Sequence, residues 1–476
     1  MGDRATATRF YQQADVVRKD NSDSLNAKRS YELFSAACYA DPSWWLTWYQ
    51  HGNNHNDIKL FHAAVACWRR ALACEIEHPH DRAKVLSNFG WGLSQIGEID
   101  AAYAALTEAT KLNPKNAAAW TNLSTIQGQL GSPAAAVGSA RIGKQLDPEN
   151  LAGQMSLSFA LLFNRQFVEG FREFECRYAY ALHNFLHYPY PKWLGEPDKT
   201  VFLVADQGLG DTLSFARFVP LAASTAKYLH LYVQPELVRL FQHAFMFLKN
   251  VNIIPYQVQC PYPEADAWTT FVSLPFALKL TDEQIRIAPP IQIPPNEYRV
   301  ASSDSWPMSK NSWKVADQKL HVGIAWAGSE QNLINRHRSI PLTHFFELAR
   351  VKGVQLYSLQ IDQAKIKEMN DLGASAFIRD LSSYVRDVVD TMSLLRDLDL
   401  VITCESALGH ICATIGKECW IPYSFLGRDY RLGHEPEKDR IWTPNHRIFP
   451  QGKNQRWEPV FERIEQALAM KVRAKS

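Results

Sequence analysis

Asp211 stands where an apolar run breaks at two glycines and a helix is predicted to begin. The segment Val201–Thr212 starts as a short strand candidate, turns at Gly208 and Gly210, and continues into a helix-like stretch. A strand, a glycine turn and a helix N-terminus form an anion site, because free backbone N–H groups and the helix dipole point above the turn. Asp211 adds a carboxylate at the edge of that site.

A comparable loop follows the strand candidate Leu400–Cys404. Glu405 and Ser406 stand where a helix begins, and His410 lies one turn further on the same face. Backbone N–H groups there could bind a diphosphate. The Glu405 carboxylate is better suited to sugar or ribose hydroxyls, because it would repel a phosphate of the same charge. Taken alone, a capped helix with a packed histidine explains this loop better.

Several other types of site are not supported. Neither glycine turn matches the GxGxxG or P-loop pattern, which argues against hydride transfer and NTP hydrolysis. Asp397-Leu398-Asp399 has the form of the metal-binding DxD of other sugar transferases, but it lies between a predicted helix and an apolar strand, and we interpret it as structural. Cys404, Cys412 and Cys419 lack a zinc spacing.

Two runs of alternating strands and helices position these loops. Such alternation predicts parallel sheets with ligands at the carboxyl ends of the strands, and two facing halves make a cleft. A third loop at such an end runs from Trp326 through Gly328 towards Arg338. The strand candidates are Val201–Ala205, Leu229–Val233, Val251–Ile254, Trp268–Val272, the start of Leu320–Ser329, Val354–Leu359, Ala376–Asp380, Leu400–Cys404 and Cys419–Tyr423.

The N-terminal third repeats with a period of 34 residues, the interval between Asn113-Pro114 and Asp147-Pro148. Small residues in the same register and Pro at the unit boundary resemble tetratricopeptide repeats, over about residues 5–185 and four to five helix pairs. The register slips between Ala64 and Ala102, so we place an insertion in the Glu75–His80 loop. Stacked helix pairs leave a groove that either binds a partner or serves as a spacer or dimerisation element.

Composition limits the cellular setting. The 51 basic and 49 acidic residues give a net charge of +2, which does not predict nucleic acid as a partner. No apolar run reaches membrane-spanning length, so only a peripheral membrane association is open. Eight cysteines without a CxxC pair fit a reduced, cytoplasmic compartment.

An ordered set of short motifs resembles one bacterial family. Over about residues 185–470 the chain looks like tetratricopeptide-repeat proteins that carry a glycosyltransferase domain of the heptosyltransferase type. Each motif alone is weak, whereas their order and spacing are specific. The motifs are Ala205–Thr212, Gly323–Gly328, Arg338–Leu342, Glu405-Ser406-Ala407-x-x-His410, Trp442-Thr443-Pro444 and Arg447-Ile448-Phe449.

The resemblance implies a GT-B fold, in which two Rossmann-like domains enclose the active site, and chemistry without a metal or other cofactor. It makes Asp211 the general base and Arg338 a contact to the donor diphosphate. Two residues depart from the family signature Asp-Thr-Gly-x-x-His, since Glu405 replaces Asp and Ser406 replaces Thr, which could shift donor choice or mean a lost activity. The nucleotide-sugar site is assigned to Gly208, Gly210, Trp326, Arg338, Gln360, Glu405, Ser406, Ala407 and His410.

We therefore expect a tetratricopeptide-repeat solenoid at residues 1–187, a Rossmann-like acceptor-side half at 188–300, and a Rossmann-like nucleotide-sugar half with a C-terminal helix at 301–476. The expected function is inverting, metal-independent transfer of a sugar from a nucleotide-sugar to a protein or glycan acceptor that the repeats recruit, and the repeats could also form a homo-oligomer. The alternatives are a non-catalytic scaffold with a vestigial transferase domain and, third, a nucleotide-sugar epimerase.

Overall fold

The chain folds into two compact units, Met1–Leu182 and His183–Ser476. The computed structural model describes residues 2–19, 24–179, 188–256, 262–291, 319–328, 335–426, 428–433 and 442–475. The predicted domain boundaries at 187 and 300 fall outside these ranges and stay predictions.

The first unit is an array of helix pairs, as the 34-residue period predicts. Short connections make the two helices of each pair antiparallel neighbours. In the described residues the helices are α1 (Arg4–Lys19), α2 (Ser24–Ala40), α3 (Trp45–Asp57), α4 (Phe61–Ala73), α5 (Pro79–Gln95), α6 (Ile99–Leu112), α7 (Ala117–Gln129), α8 (Pro133–Leu146), α9 (Leu151–Phe163) and α10 (Phe167–Phe174).

Residues 34 positions apart have the same structural role in successive repeats. Asn116 and Asn150 cap α7 and α9 by accepting a hydrogen bond from the backbone N–H three residues on. Gly97 and Gly131 adopt positive φ at the turns that follow α5 and α7, where a side chain would be strained. The 34-residue period therefore arises from caps and turns as well as from apolar spacing.

The predicted insertion in the Glu75–His80 loop is wrong. The loop between α4 and α5 is short, and the extra residues lengthen the helix, since α5 has 17 residues whereas α7 and α9 have 13 each. Pro79 at the first turn starts α5 early, because proline is tolerated where the backbone N–H has no helical partner.

The second unit contains two parallel sheets, as predicted. The first has the order β3-β2-β1-β4. Its strands are β1 (Thr200–Val204), β2 (Tyr228–Val233), β3 (Val251–Pro255) and β4 (Ala267–Thr270), and its helices are α11 (Leu209–Phe215), α12 (Val219–Thr225), α13 (Pro235–Ala244), α14 (Leu274–Ala277) and α15 (Asp282–Ile287).

The second sheet has the order β10-β9-β8-β5-β6-β7, which is that of a doubly wound, Rossmann-like sheet. Its strands are β5 (Leu320–Ala325), β6 (Val354–Ser358), β7 (Ile378–Asp380), β8 (Leu400–Thr403), β9 (Cys419–Tyr423) and β10 (His446–Pro450). Its helices are α16 (Asn335–Arg338), α17 (Thr343–Ala349), α18 (Gln363–Asp371), α19 (Val388–Asp397), α20 (Ala407–Thr414) and α21 (Glu458–Lys475).

Asp399 of the DxD triplet makes structural contacts, as the structural interpretation predicts. The Asp399 carboxylate accepts hydrogen bonds from the backbone N–H of His321, at 2.7 Å, and from the Lys475 ammonium, at 2.7 Å. It therefore ties the start of β5 to the end of α21.

Candidate functional site

The order of the second sheet predicts a ligand crevice between β5 and β8. The chain continues from β5 to strands on one side and from β8 to strands on the other, so the two neighbours form a topological switch point. Ligands of such sheets bind at the carboxyl ends of the strands beside this point. The loop Trp326–Gly328 follows β5 and the loop Cys404–Ser406 follows β8, which brings two of the predicted loops together.

The remaining predicted loop, at Gly208–Asp211, approaches the loop after β8 from the first sheet. Gly208 caps α11 directly after β1, and α11 packs against the start of α20. A Cβ built at Gly210 would lie 2.5 Å from Cδ2 of His410 and 3.3 Å from Cα of Ala407. The starts of α11 and α20 therefore touch, and Gly210 packs against protein rather than facing a ligand.

His410 joins the two halves of the second unit. Its Nδ1 is 2.9 Å from the hydroxyl of Ser214, which in turn lies 2.9 Å from the carbonyl oxygen of Gly210. Burial, followed by the charge of Arg431, holds the pKa of His410 well below its usual range, so the ring is neutral. The structure thus gives His410 a positioning role between α11 and α20.

Asp211, the proposed base, faces Arg431. The Asp211 Oδ1 and Arg431 Nη1 atoms are 2.9 Å apart, and 31% of the Asp211 side chain remains exposed. The enclosing protein raises the pKa of Asp211 above its ordinary value, although Arg431 opposes this shift. The carboxylate is therefore more basic than a free aspartate while it stays accessible.

Asp429 supplies the second counter-ion of Arg431. The guanidinium donates to both carboxylate oxygens of Asp429, and its Nη1 lies 3.3 Å from the hydroxyl of Ser214. Burial disfavours the charged carboxylate, but Arg431 outweighs it and lowers the pKa of Asp429 to about 2. Arg431 thus keeps a counter-charge whatever the protonation of Asp211.

Arg338 and Glu405 form an ionisable pair beside the carboxyl ends of β5 and β8. Arg338 Nη1 lies 3.4 Å from Glu405 Oε1, a loose contact between two largely buried side chains. Burial, and then the charge of Asp429, raises the pKa of Glu405 to about 8 although two arginines oppose it. Within the described residues, Arg338 Nε and Glu405 Oε2 are buried and lack a hydrogen-bond partner. Such groups in a native structure are expected to have a partner, such as a ligand or a water.

The start of α20 offers further donors. Ser406 is its N-cap residue, but the Ser406 hydroxyl forms no capping bond and lies 3.2 Å from the Thr403 hydroxyl. The first N–H groups of a helix have no intrahelical partner, so those beginning at Ala407 are suited to an anion.

Two predicted ligand residues have supporting roles instead. The indole of Trp326 is 1% exposed and packs in the core of the second sheet with residues such as Ile340 and Phe345, so it offers no surface to a nucleotide. The amide of Gln360 donates to the carbonyl of Ala327 at 3.0 Å and holds the loop after β5. The prediction of direct contact by these two side chains is corrected, because burial depends on packing rather than on proximity in sequence to a strand end.

Asp429, Arg431 and Ser214 are the site residues that the sequence analysis missed. Asp429 and Arg431 follow β9, the strand next to β8, so the strand-end rule applied to Cys419–Tyr423 could have found them. Ser214 lies one turn after Gly210 and carries no comparable signal.

No model of a known protein family matches this chain. It is 24% identical to Protein FlbA of Caulobacter vibrioides over 415 residues, 82% of this chain and 67% of that protein. Across the residues that the structure describes, no helix combines the length and apolarity that a bilayer crossing requires.

Solved structures match over less than two fifths of the chain. MamA from Desulfovibrio magneticus RS-1 is 15% identical, with 38% of this chain and 99% of that chain covered and a TM-score of 0.32. PilF of Pseudomonas aeruginosa is 20% identical, with 36% and 75% covered and a TM-score of 0.31. YrrB, a tetratricopeptide-repeat protein, is 15% identical, with 36% and 85% covered and a TM-score of 0.30.

Proposed function

We propose that this chain is an inverting glycosyltransferase that moves a sugar from a nucleotide-sugar to a hydroxyl of a protein or glycan. The observation that carries the proposal is the crevice beside β5 and β8. There Arg338 and Glu405 each keep a buried polar atom without a partner among the described residues, and Asp211 approaches the same crevice from the other half. A cation, free helix N–H groups and an accessible carboxylate are what sugar transfer without a metal requires.

On the donor side, the nucleoside diphosphate leaves with growing negative charge. The Arg338 guanidinium and the N–H groups at the start of α20 would stabilise it by charge-assisted hydrogen bonds. Because the pKa of Glu405 is raised to about 8, this side chain is mostly protonated at neutral pH and does not repel phosphate. The protonated carboxyl can donate a hydrogen bond to the nucleotide-sugar. The repulsion expected between a Glu405 carboxylate and a diphosphate is then absent.

On the acceptor side, a hydroxyl must lose a proton as it attacks the anomeric carbon. Asp211 accepts that proton in the proposal, and its raised pKa favours the transfer. When Asp211 becomes neutral, Arg431 remains paired with Asp429, so no buried cation is left without a counter-ion. A single displacement with one base inverts the anomeric configuration.

The test is sugar transfer by purified protein across UDP-, GDP- and ADP-sugars, with mass spectrometry of co-purified proteins to find the acceptor. Asp211→Asn should lower kcat by about 10²- to 10⁴-fold while donor binding is kept. Arg338→Ala should lower the rate of transfer and also weaken binding of the nucleotide-sugar. Asp371→Asn and Arg350→Ala, at exposed ion pairs, are matched controls. If Asp211→Asn and Arg338→Ala both transfer sugar at the parent's rate, the proposal is wrong.

A non-catalytic scaffold is the second candidate, and one observation favours it. The proposed base and the proposed phosphate ligand both have protein partners, since Asp211 contacts Arg431 and Arg338 contacts Glu405. The two departures from the family signature, at 405 and 406, agree with it. Calorimetric titration separates the candidates, because a scaffold with a vestigial site binds none of the nucleotide-sugars.

A further inference from the structure

Two histidines and a cysteine meet in the core of the first unit. His51 and His55 lie one turn apart on α3, and Cys67 comes from the neighbouring helix α4. One ligand atom from each residue lies within 4.8 Å of the other two. All three side chains are buried, with 5%, 6% and 7% of their surface exposed. The proposed transfer chemistry uses none of them.

The two imidazoles are poorly satisfied by the protein itself. Nδ1 of His51 and Nδ1 of His55 are both buried without a hydrogen-bond partner among the described residues. A buried polar atom without a partner destabilises the fold, and these two atoms lie on adjacent turns of α3. The ring centroids are 4.5 Å apart, and the ring of Tyr31 covers them at 5.1 and 5.3 Å.

We infer that His51, His55 and Cys67 bind a single thiophilic d¹⁰ cation, Zn²⁺ or Cu⁺. Imidazole nitrogen and thiolate sulfur are the preferred ligands of both ions. With metal–nitrogen bonds of about 2.0 Å and metal–sulfur bonds of about 2.3 Å, the ligand atoms around an ion lie closer together than 4.8 Å, so binding requires the three side chains to move towards one another. The thiolate would neutralise Cu⁺ and leave one positive charge with Zn²⁺.

The ligands differ in their readiness for the metal. Burial, and then the charge of His55, lowers the pKa of His51 to about 4, so its ring is neutral at pH 7 and one ring nitrogen has a lone pair free for a metal. Burial also raises the pKa of Cys67 to about 12, so the metal must displace the thiol proton, which passes to solvent as the metal–sulfur bond forms. Binding therefore releases about one proton for each metal ion.

The experiment is a titration of the metal-stripped full chain with Co²⁺, the spectroscopic probe for Zn²⁺, and anaerobically with Cu⁺ against a chromophoric chelator. The parent should bind about one ion tightly, and Co²⁺ should give the ultraviolet charge-transfer band of a thiolate ligand. Cys67→Ser should abolish that band, whereas Cys74→Ser, at the end of the same helix, should keep it. His55→Gln should weaken binding by at least about 10-fold, and exposed His62→Gln should not.

The outcomes are decisive in both directions. A thiolate band that is lost with Cys67 supports the site, and the stronger of the Co²⁺ and Cu⁺ arms identifies the ion. The inference is overturned if the parent shows neither the Co²⁺ band nor tight Cu⁺ binding, or if the band or the Cu⁺ binding persists in a Cys67→Ser protein that is folded by circular dichroism. Because the band in the parent reports thiolate ligation by itself, the inference can fail even if no variant folds.

Discussion

Gly210 on α11 lies against the imidazole of His410 on α20, so closely that a Cβ at position 210 would come within 2.5 Å of the ring. The ring has little freedom to move away, because its Nδ1 is held 2.9 Å from the Ser214 hydroxyl on the same helix as Gly210. Two helix starts that each resemble a ligand-binding turn in sequence therefore pack on each other. The glycine is needed for this contact between the two halves.

Gly210→Ala should destabilise the protein by about 1–3 kcal/mol, the usual cost of overpacking a close contact. It should also slow sugar transfer, because it displaces Asp211 relative to the start of α20. The urea midpoint measures stability, and the rate of sugar transfer at saturating nucleotide-sugar measures activity. Gly138→Ala is the matched control, since a Cβ there meets nothing within 4 Å, and it should stabilise α8 by about 0.4–1 kcal/mol. Equal effects at the two positions would contradict the contact.

Arg431→Gln should be strongly destabilising, by about 3–5 kcal/mol, because it leaves the buried carboxylate of Asp429 and that of Asp211 without their cation. Arg350→Gln, at an exposed pair with Glu347, should change stability by less than about 0.5 kcal/mol. Urea unfolding at neutral pH measures both. A mild effect of Arg431→Gln would show that solvent reaches the pair freely.

Much of the fold follows from periodicity. The 34-residue interval predicted the helix pairs, and strand–helix alternation predicted both parallel sheets to within a few residues at the strand ends. Strand β10 was not predicted, although α21 follows it, because its five residues come after a Thr-Pro turn and end in Pro450, and proline weakens a strand pattern. The helical insertion in α5 was misplaced, because Pro79 marks a helix start as readily as a loop.

The site was predictable only in part. Arg338 and Glu405 come together because they follow β5 and β8, neighbouring strands whose carboxyl ends share one edge of the second sheet, which the alternation implies. Asp211 follows β1 of the first sheet, so its position depends on how α11 packs against α20. Whether a residue near such an end faces ligand or core depends on packing, so the roles of Trp326 and Gln360 were not foreseen. Asp211 and Arg431 are far apart in sequence, and no local sequence pattern predicts that they form an ion pair.

Asp399→Asn distinguishes a structural DxD from a metal-binding one. It removes the charge that pairs with Lys475 and weakens the bond from the His321 backbone, so it should lower stability by about 1–3 kcal/mol. Sugar transfer per folded molecule, with and without added Mn²⁺ or Mg²⁺, should match the parent. Asp397→Asn, at an exposed position two residues earlier, should alter neither property. A loss of metal-stimulated activity in either variant would reverse the assignment.

Glu405 should make both stability and donor binding fall as the solution becomes alkaline. Its pKa is raised from 4.5 to about 8 in the folded chain. The folded state therefore binds more protons than the unfolded state between these values, and stability is lost as pH rises through this window. Above about pH 8 the ionised carboxylate would also repel the donor diphosphate, so donor affinity should drop there.

Glu405→Gln tests this, because the amide keeps the size of the protonated side chain and cannot ionise. Urea midpoints at about pH 5, 7 and 9 should fall less steeply in the variant than in the parent, and donor affinity should become nearly independent of pH across about 7 to 9. Exposed Glu462→Gln on α21 is the control and should follow the parent in both measurements. Parallel pH profiles for parent and Glu405→Gln would mean that Glu405 is already ionised at neutral pH, held as a carboxylate by Arg338.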